Sequence, residues 1–477
     1  MDTYINEKLQ KFNTEISKKR VAIIGLGTSN IPLIKYFHDL GSSISVFDNR
    51  EEDKIDSDVI NELQEYHIKA YLGKDNLKNL KGFDYIFRSP SCLPTTPELV
   101  EEANRGAIVT SEIEQVLKLT PSTIIGVTGS DGKTTTTTLI YTILKAQGYT
   151  CFLGGNIGTP LFTQIKDMKP EDYVVLELSS FQLMGMKVSP QISVITNISP
   201  NHLNVHKDYQ EYIDSKKEIY LHQNEKGILV INKDNDITKE FYKDAPGKVR
   251  YFSHKELLDN GVIFDERDST IKLCEDGVRK HLIKQKDMKL RGEHNCENAC
   301  AAIAATLGLV NEDKCVSTIE NFGGVEHRIE FVKEIDGVKW FNDSIGTSPT
   351  RTIAGLNSFE EKIVLIAGGY DKHLDYAPIA KPIVKNVSKL ILMGATADKI
   401  EKAVKDELLK EGKTLPIYRC LNLQEVVNKA KEVAREGEVV LFSPASASFD
   451  LFKNFEDRGN KFKELVRNLK VKITDMK

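Results

Sequence analysis

Short, nearly unbroken apolar runs recur along this chain, and stretches with helical spacing lie between them. Runs at 21–24, 44–48, 68–72, 84–87, 107–110 and 123–127 read as strands. So do 173–180, 192–197, 227–232, 339–342, 363–367, 390–393 and 439–442. Strands apolar on both faces and separated by helices are what a parallel sheet covered on both sides requires. Helices are predicted up to Leu40, over 136–147, from about 290 to Leu307, and over 350–356, 399–411, 423–435 and 460–469. Residues 250–290 alternate apolar and polar positions and predict a small β insertion. The pattern falls into three α/β domains, with boundaries read at 1–117, 118–321 and 322–477.

Composition narrows the class. The chain has 477 residues, 40% hydrophobic and 28% charged, with a net charge of −4, so no global charge draws it to nucleic acid or to an anionic membrane. No apolar run reaches the roughly 18 residues of a membrane span. The polar N-terminus carries no signal-peptide core, so a soluble cytoplasmic protein is expected. Seven scattered cysteines fit a reducing compartment better than a disulfide framework. Cys296 and Cys300, four apart on a predicted helix, read as small core residues.

The chemistry centres on Thr128-Gly129-Ser130-Asp131-Gly132-Lys133-Thr134-Thr135. A strand leads into it and a helix follows, which is the layout of a phosphate-binding loop. Backbone N–H groups would close round phosphate oxygens, Lys133 would reach the β- and γ-phosphates, and the Thr134 hydroxyl would face Mg²⁺. The match is a variant, because Val127 stands where the first glycine of the full pattern belongs. In a parallel sheet, strand C-terminal ends share one edge, so Glu177 and His202 should fall beside this loop. Glu177 is then a Mg²⁺ ligand, or alternatively an acid capping the next helix.

The first unit carries most of a dinucleotide fingerprint: Gly25-Leu26-Gly27, a helix, then a strand ending in Asp48. Asn30 replaces the third glycine. The turn is read either as a nucleotide-like phosphate site or as a structural turn. In the third unit, Asn342 to Thr347, Gly368 to Lys372 and Ser443 to Asp450 all lie at strand ends, pointing to a small anionic ligand, with Lys372 as a point charge for a carboxylate.

Taken together, these motifs resemble one family. The phosphate loop, Gly154-Gly155-Asn156-Ile157-Gly158, Glu177 to Gln182, Thr196-Asn197 with His202, Tyr212 with Lys216 and Tyr220, His294-Asn295 with Asn298, and His327-Arg328 are similar to the Mur ligases of peptidoglycan synthesis. The resemblance spans nearly the whole chain. Asn342-Asp343-Ser344, Gly368 to Lys372, and Ser443 to Gly459 resemble the branch that adds D-glutamate, and the Asp-Asn-Pro-Arg motif of the diaminopimelate-adding branch is absent.

The resemblance implies Rossmann-like N- and C-terminal domains around a central ATPase. It also implies an ATP-dependent acid–amino-acid ligase acting through an acyl phosphate, with UDP-N-acetylmuramoyl-L-alanine and D-glutamate as substrates and a monomer as the working form. By the match, Gly129 to Thr135, Asn295, Arg328 and Asp343 bind ATP. Thr134, Glu177, His202 and Lys216 serve two Mg²⁺ sites, Lys216 as a CO₂-derived carbamate; Lys133, His202 and Lys216 are catalytic. Leu26, Thr28, Asp48, Asn49, Arg50 and Ser89 match the uridine-diphosphate region, and Asn156 the muramoyl contact. Thr347, Lys372, Ser448, Phe449 and Phe455 match the D-glutamate pocket.

Three positions depart from the pattern: Asn201 for Asp, Ile345 for Lys, and Ser446 for Cys. Rival readings are a folylpolyglutamate-type ligase, which would lack the first unit, a nucleotide-dependent switch, and an NAD-dependent oxidoreductase.

Overall fold

A computed structural model describes residues 4–201, 205–290, 292–371 and 374–470. The chain divides into two compact units, Met1–Phe322 and Gly323–Lys477. Among the described residues, the first unit contains two sheets and the second contains one.

The N-terminal sheet comprises β1 (Arg20–Ile24), β2 (Ser43–Asp48), β3 (Lys69–Leu72), β4 (Tyr85–Arg88) and β5 (Ile108–Thr110). Its order is β3-β2-β1-β4-β5, all parallel. That is the Rossmann order through five strands, so the loops after β1, β2 and β4 gather at one edge. Val21, Ile23, Val46 and Phe87 are buried against Leu33, Ile34 and Phe37 of the helix Ile31–Asp39.

The central sheet comprises β6 (Thr123–Thr128), β7 (Cys151–Gly155), β8 (Tyr173–Glu177), β9 (Ile192–Ile195), β10 (Ile228–Asn232), β11 (Lys248–Ser253), β12 (Gly261–Asp265), β13 (Thr270–Glu275) and β14 (Val278–Lys284). The order is β14-β13-β12-β11-β10-β9-β6-β8-β7. Strands β7 to β12 and β6 pair in parallel; β13 and β14 add an antiparallel edge. The region read as a separate β insertion therefore extends the central sheet: β11 and β12 continue it in parallel, and only β13 and β14 add an antiparallel hairpin. The phosphate-loop strand β6 lies between β8 and β9.

The sheet of the second unit comprises β15 (Glu330–Ile335), β16 (Val338–Asn342), β17 (Ile363–Ala367), β18 (Val387–Leu392), β19 (Ile417–Arg419) and β20 (Val439–Phe442), in the order β15-β16-β20-β17-β18-β19. All pairs are parallel except β15 with β16. The last helix runs Phe455–Arg467, starting earlier than the apolar spacing suggested, because Asn454 caps it by accepting from Asp457 N at 2.8 Å.

Candidate active site

The phosphate loop joins β6 to the helix Lys133–Gln147. Two glycines make its shape possible. Gly129 has φ +149°, and a Cβ there would lie 1.9 Å from Thr196 Oγ1. Gly132 has φ +78°, and a Cβ would lie 2.2 Å from Asn298 Oδ1. The loop is tied down by side chains from β9 onward. Thr196 Oγ1 donates to Asp131 O at 2.5 Å, Asn197 Oδ1 accepts from Asp131 N at 2.9 Å, and Ser130 Oγ accepts from Ser199 N at 2.9 Å. Tyr212 OH lies 2.9 Å from Ser130 Oγ. Lys133 Nζ donates to Gly129 O and Ser130 O, at 3.0 and 2.9 Å, so its ammonium arches over the loop. Thr134 and Thr135 occupy the first helical turn.

Glu177 ends β8 in register with Val127 of β6 and is buried. Its Oε1 accepts from Asn156 Nδ2 at 2.8 Å. Its Oε2 is buried and, among the described residues, has no hydrogen-bond partner. Leaving a buried carboxylate oxygen unpaired is costly, and a hard cation beside the phosphate loop would satisfy it. Asn156, matched to the muramoyl contact, is thus also the residue that orients Glu177; its backbone N–H also bonds Glu177 O at 2.8 Å.

Lys216, on the helix Tyr209–Leu221, is 2% exposed. Its Nζ donates to Gly129 O at 2.8 Å and to Thr128 Oγ1 at 3.2 Å. Burial, with the Lys133 charge adding to it, pushes this amine well below the usual lysine range. Asn295 Oδ1 accepts from Asn298 Nδ2 at 3.1 Å, which places both on the helix Glu293–Thr306 beside the loop. His202 lies outside the described residues.

In the N-terminal sheet, Asp48 organises the loops after β1 and β2. It is buried, accepts from Leu26 N at 2.7 Å, and forms a two-pronged pair with Arg50 Nε and Nη2, both at 2.8 Å. Burial pushes its carboxyl up, but those donors outweigh burial and hold it below the usual carboxylate range. Asn30 explains the missing third glycine: its Nδ2 donates to Ile24 O at 2.9 Å and Gly25 O at 3.1 Å, closing the turn with a side chain. Ser89 packs directly under Gly25, while Thr28 and Asn49 are exposed at the same edge.

Three family models match: the "Mur ligase MurD-like, N-terminal domain" over 19–111, the "Mur ligase middle domain" over 127–306 and the "Mur ligase, glutamate ligase domain" over 327–446. The UDP-N-acetylmuramoylalanine--D-glutamate ligase of Acetivibrio thermocellus is 49% identical, covering 98% of this chain and 100% of its own. The protein of the same name from Ruminiclostridium cellulolyticum is also 49% identical over the same shares. The chain belongs to the Mur ligase family. Solved Mur ligases share the fold: MurF from Acinetobacter baumannii at TM-score 0.58, 18% identity and 98% and 99% coverage, and MurC from Thermotoga maritima at 0.55, 20%, and 94% and 99%.

In the second unit of this Mur ligase the strand-end loops are bound together by Arg458, which the sequence reading passed over. It is 0% exposed. Its guanidinium donates to Ser344 Oγ and O at 3.0 and 2.8 Å, and to Ser446 O and Ala447 O at 3.0 and 2.8 Å. Ser446, where cysteine was expected, joins Tyr376 OH and Thr396 Oγ1 at 2.9 and 2.8 Å.

Arg328 sits between His327 and Ile329, whose φ angles are +63° and +47°. Such a conformation in a β-branched residue is strained. Asp343 holds it, accepting from Ile329 N at 3.3 Å and from Ser443 Oγ at 2.6 Å. Burial pushes the Asp343 carboxyl up to about 7. Ser448 is buried, Phe449 is 60% exposed, Thr347 and Phe455 are half-buried, and the Phe455 carbonyl accepts from Ser344 Oγ at 2.8 Å. Lys372 lies outside the described residues.

Among the described residues, no helix is long and apolar enough to cross a membrane.

Proposed function

We propose that this Mur ligase joins D-glutamate to the alanyl carboxylate of UDP-N-acetylmuramoyl-L-alanine while ATP is cleaved to ADP and phosphate. The observation that carries the reading is the meeting of the phosphate loop, the half-satisfied Glu177 carboxylate and the buried Lys216 amine at one sheet edge. The printed activity of relatives 49% identical along the whole chain supports the choice of amino acid.

A carboxylate is a poor acyl donor, so the γ-phosphoryl group of ATP first passes to the substrate carboxylate oxygen. The D-glutamate amine then attacks the acyl carbon; the C–N bond forms, the C–O bond to phosphate breaks, and the amine loses a proton. Lys133 stabilises charge on the phosphoryl group in flight. The orphaned Glu177 Oε2 fits a magnesium site that Thr134 would complete, with His202 and a carbamylated Lys216 at a second. Magnesium there would neutralise phosphate charge. A neutral amine is the form that adds CO₂, and burial shifts Lys216 toward it; the resulting carbamate would turn a repelling cation into an anionic oxygen ligand.

By the family match, Gly129 to Thr135, Asn295, Arg328 and Asp343 would bind ATP. Leu26, Thr28, Asp48, Asn49, Arg50, Ser89 and Asn156 would seat the nucleotide-sugar substrate. Thr347, Lys372, Ser448, Phe449 and Phe455 would seat D-glutamate. The protein would work as a cytoplasmic monomer.

Phosphate release with UDP-N-acetylmuramoyl-L-alanine and ATP, run with D-glutamate, L-glutamate or neither, tests the proposal. Release with D-glutamate alone, and a product heavier by one glutamyl residue, is the expected result. Release indifferent to both substrates would leave only an ATPase.

A further inference from the structure

Glu112 opens the helix Glu112–Leu119 immediately after β5. An acid at a helix start normally faces water, where the helix dipole favours it. This one turns inward and is buried. Its Oε1 accepts from the backbone N–H groups of Leu161 and Phe162, both at 3.0 Å. Those donors begin the short 3-10 segment Phe162–Asp167, whose first N–H groups have no partner within it. Glu112 is thus a cap supplied from nearly fifty residues away.

The loop it caps is the one that carries Asn156. At its start, Asn156 is fastened to Glu177 through both its amide and its side chain. Gly155, with φ +93°, lets the backbone lie so close that a Cβ would sit 2.1 Å from Glu177 O. At its end, Leu161 fills the space beside Gly154, where a Cβ would meet Leu161 Cδ1 at 2.6 Å. Residues 156–161 are therefore strung between two glutamates, Glu177 and Glu112. Glu112 also lines a small cavity with Ser29, Asn30, Arg88, Pro90 and Gln182.

We propose that Glu112 is a positioning residue for Glu177: by fixing the far end of the 156–161 loop it sets the Asn156 carboxamide, and through it the carboxylate that faces the phosphate loop. This rests on the reading of Glu177 as a metal ligand. Partners that orient a ligating carboxylate typically change metal affinity by about 10- to 100-fold when removed.

The test is Mn²⁺ binding to the full chain in the presence of ADP, followed by electron paramagnetic resonance without turnover. Asn156→Ala should loosen Mn²⁺ by about tenfold or more. Glu112→Asp keeps a carboxyl group but withdraws the acceptor by one methylene, and should loosen Mn²⁺ by at least about threefold. Because the two act in series, Glu112→Asp should add nothing in the Asn156→Ala background. Glu112→Asp with wild-type Mn²⁺ affinity, or losses that multiply in the double variant, would overturn the proposal. D-glutamate turnover plays no part in this measurement. A protein that binds Mn²⁺–ADP with the stated coupling yet ignores D-glutamate therefore supports Glu112 and sinks only the substrate assignment.

Discussion

Two buried cations anchor the two units, and they are used in opposite ways. Arg458 is wrapped by four oxygen acceptors from two loops, and burial lowers its basicity only to about 10, so it remains a fixed positive knot. Lys216 meets two acceptors, one of them a hydroxyl, and burial with Lys133 nearby pushes its amine well below the usual lysine range. A guanidinium holds its proton and spreads donors in a plane, which suits scaffolding. An amine can give up its proton when buried, which suits chemistry. Burial of a cation is therefore ambiguous until its acceptors are counted: full satisfaction marks structure, and partial satisfaction beside a phosphate loop marks reactivity.

The sharpest way to break this contrast is to swap the residues' character. Lys216→Ala and Lys216→Arg should both lose roughly 100-fold or more in turnover, with the fold intact by circular dichroism. An active Lys216→Arg enzyme would mean that only a positive charge is needed there. The second effect is on stability. Arg458→Lys presents one compact ammonium to four acceptors and strands at least some of them. It should cost about 2–5 kcal/mol in urea unfolding of the second unit.

The smallest effect concerns pH. Asp343 rises from 3.8 to about 7 in the fold, so the folded state favours its neutral form. Its contribution to stability is greatest at low pH and falls as pH climbs from near 4 to near 7. Asp343→Asn removes that titration. Its melting temperature relative to wild type should rise across this window and level off above it; a constant difference from pH 4 to 8 would argue against a raised Asp343.

Most of the strands were legible because parallel sheets bury both faces, and runs such as Ile363–Ala367 can be little else. The edge strands β7, β15 and β19 were not, because each is largely half-exposed and the apolar run breaks up. Glu177 and Lys133 were readable from strand–loop–helix order, since topology alone brings strand ends together. Lys216 was not: it is one lysine among many until the fold buries it, and only the family resemblance singled it out. Asn30, Arg458 and the second role of Asn156 escaped because each acts through backbone carbonyls or a neighbour's carboxylate, and such bonds leave no periodicity in a sequence. The extent of the central sheet escaped for a related reason: alternation in 250–290 shows a half-exposed strand without naming the partner it extends.

The place of β6 has a consequence for how the chain is made. Its neighbours β8 and β9 are both encoded after it, and Thr196, which bonds to Thr128 O, follows by 68 residues. At roughly 5–20 residues per second, the ribosome leaves this largely buried strand without either flank for several seconds. The nascent chain must carry this strand in the open before the loop after it can be tied down by Thr196 and Asn197. The window between translation of β6 and β9 is where a chaperone would act, and where a stalled ribosome would release an aggregation-prone fragment.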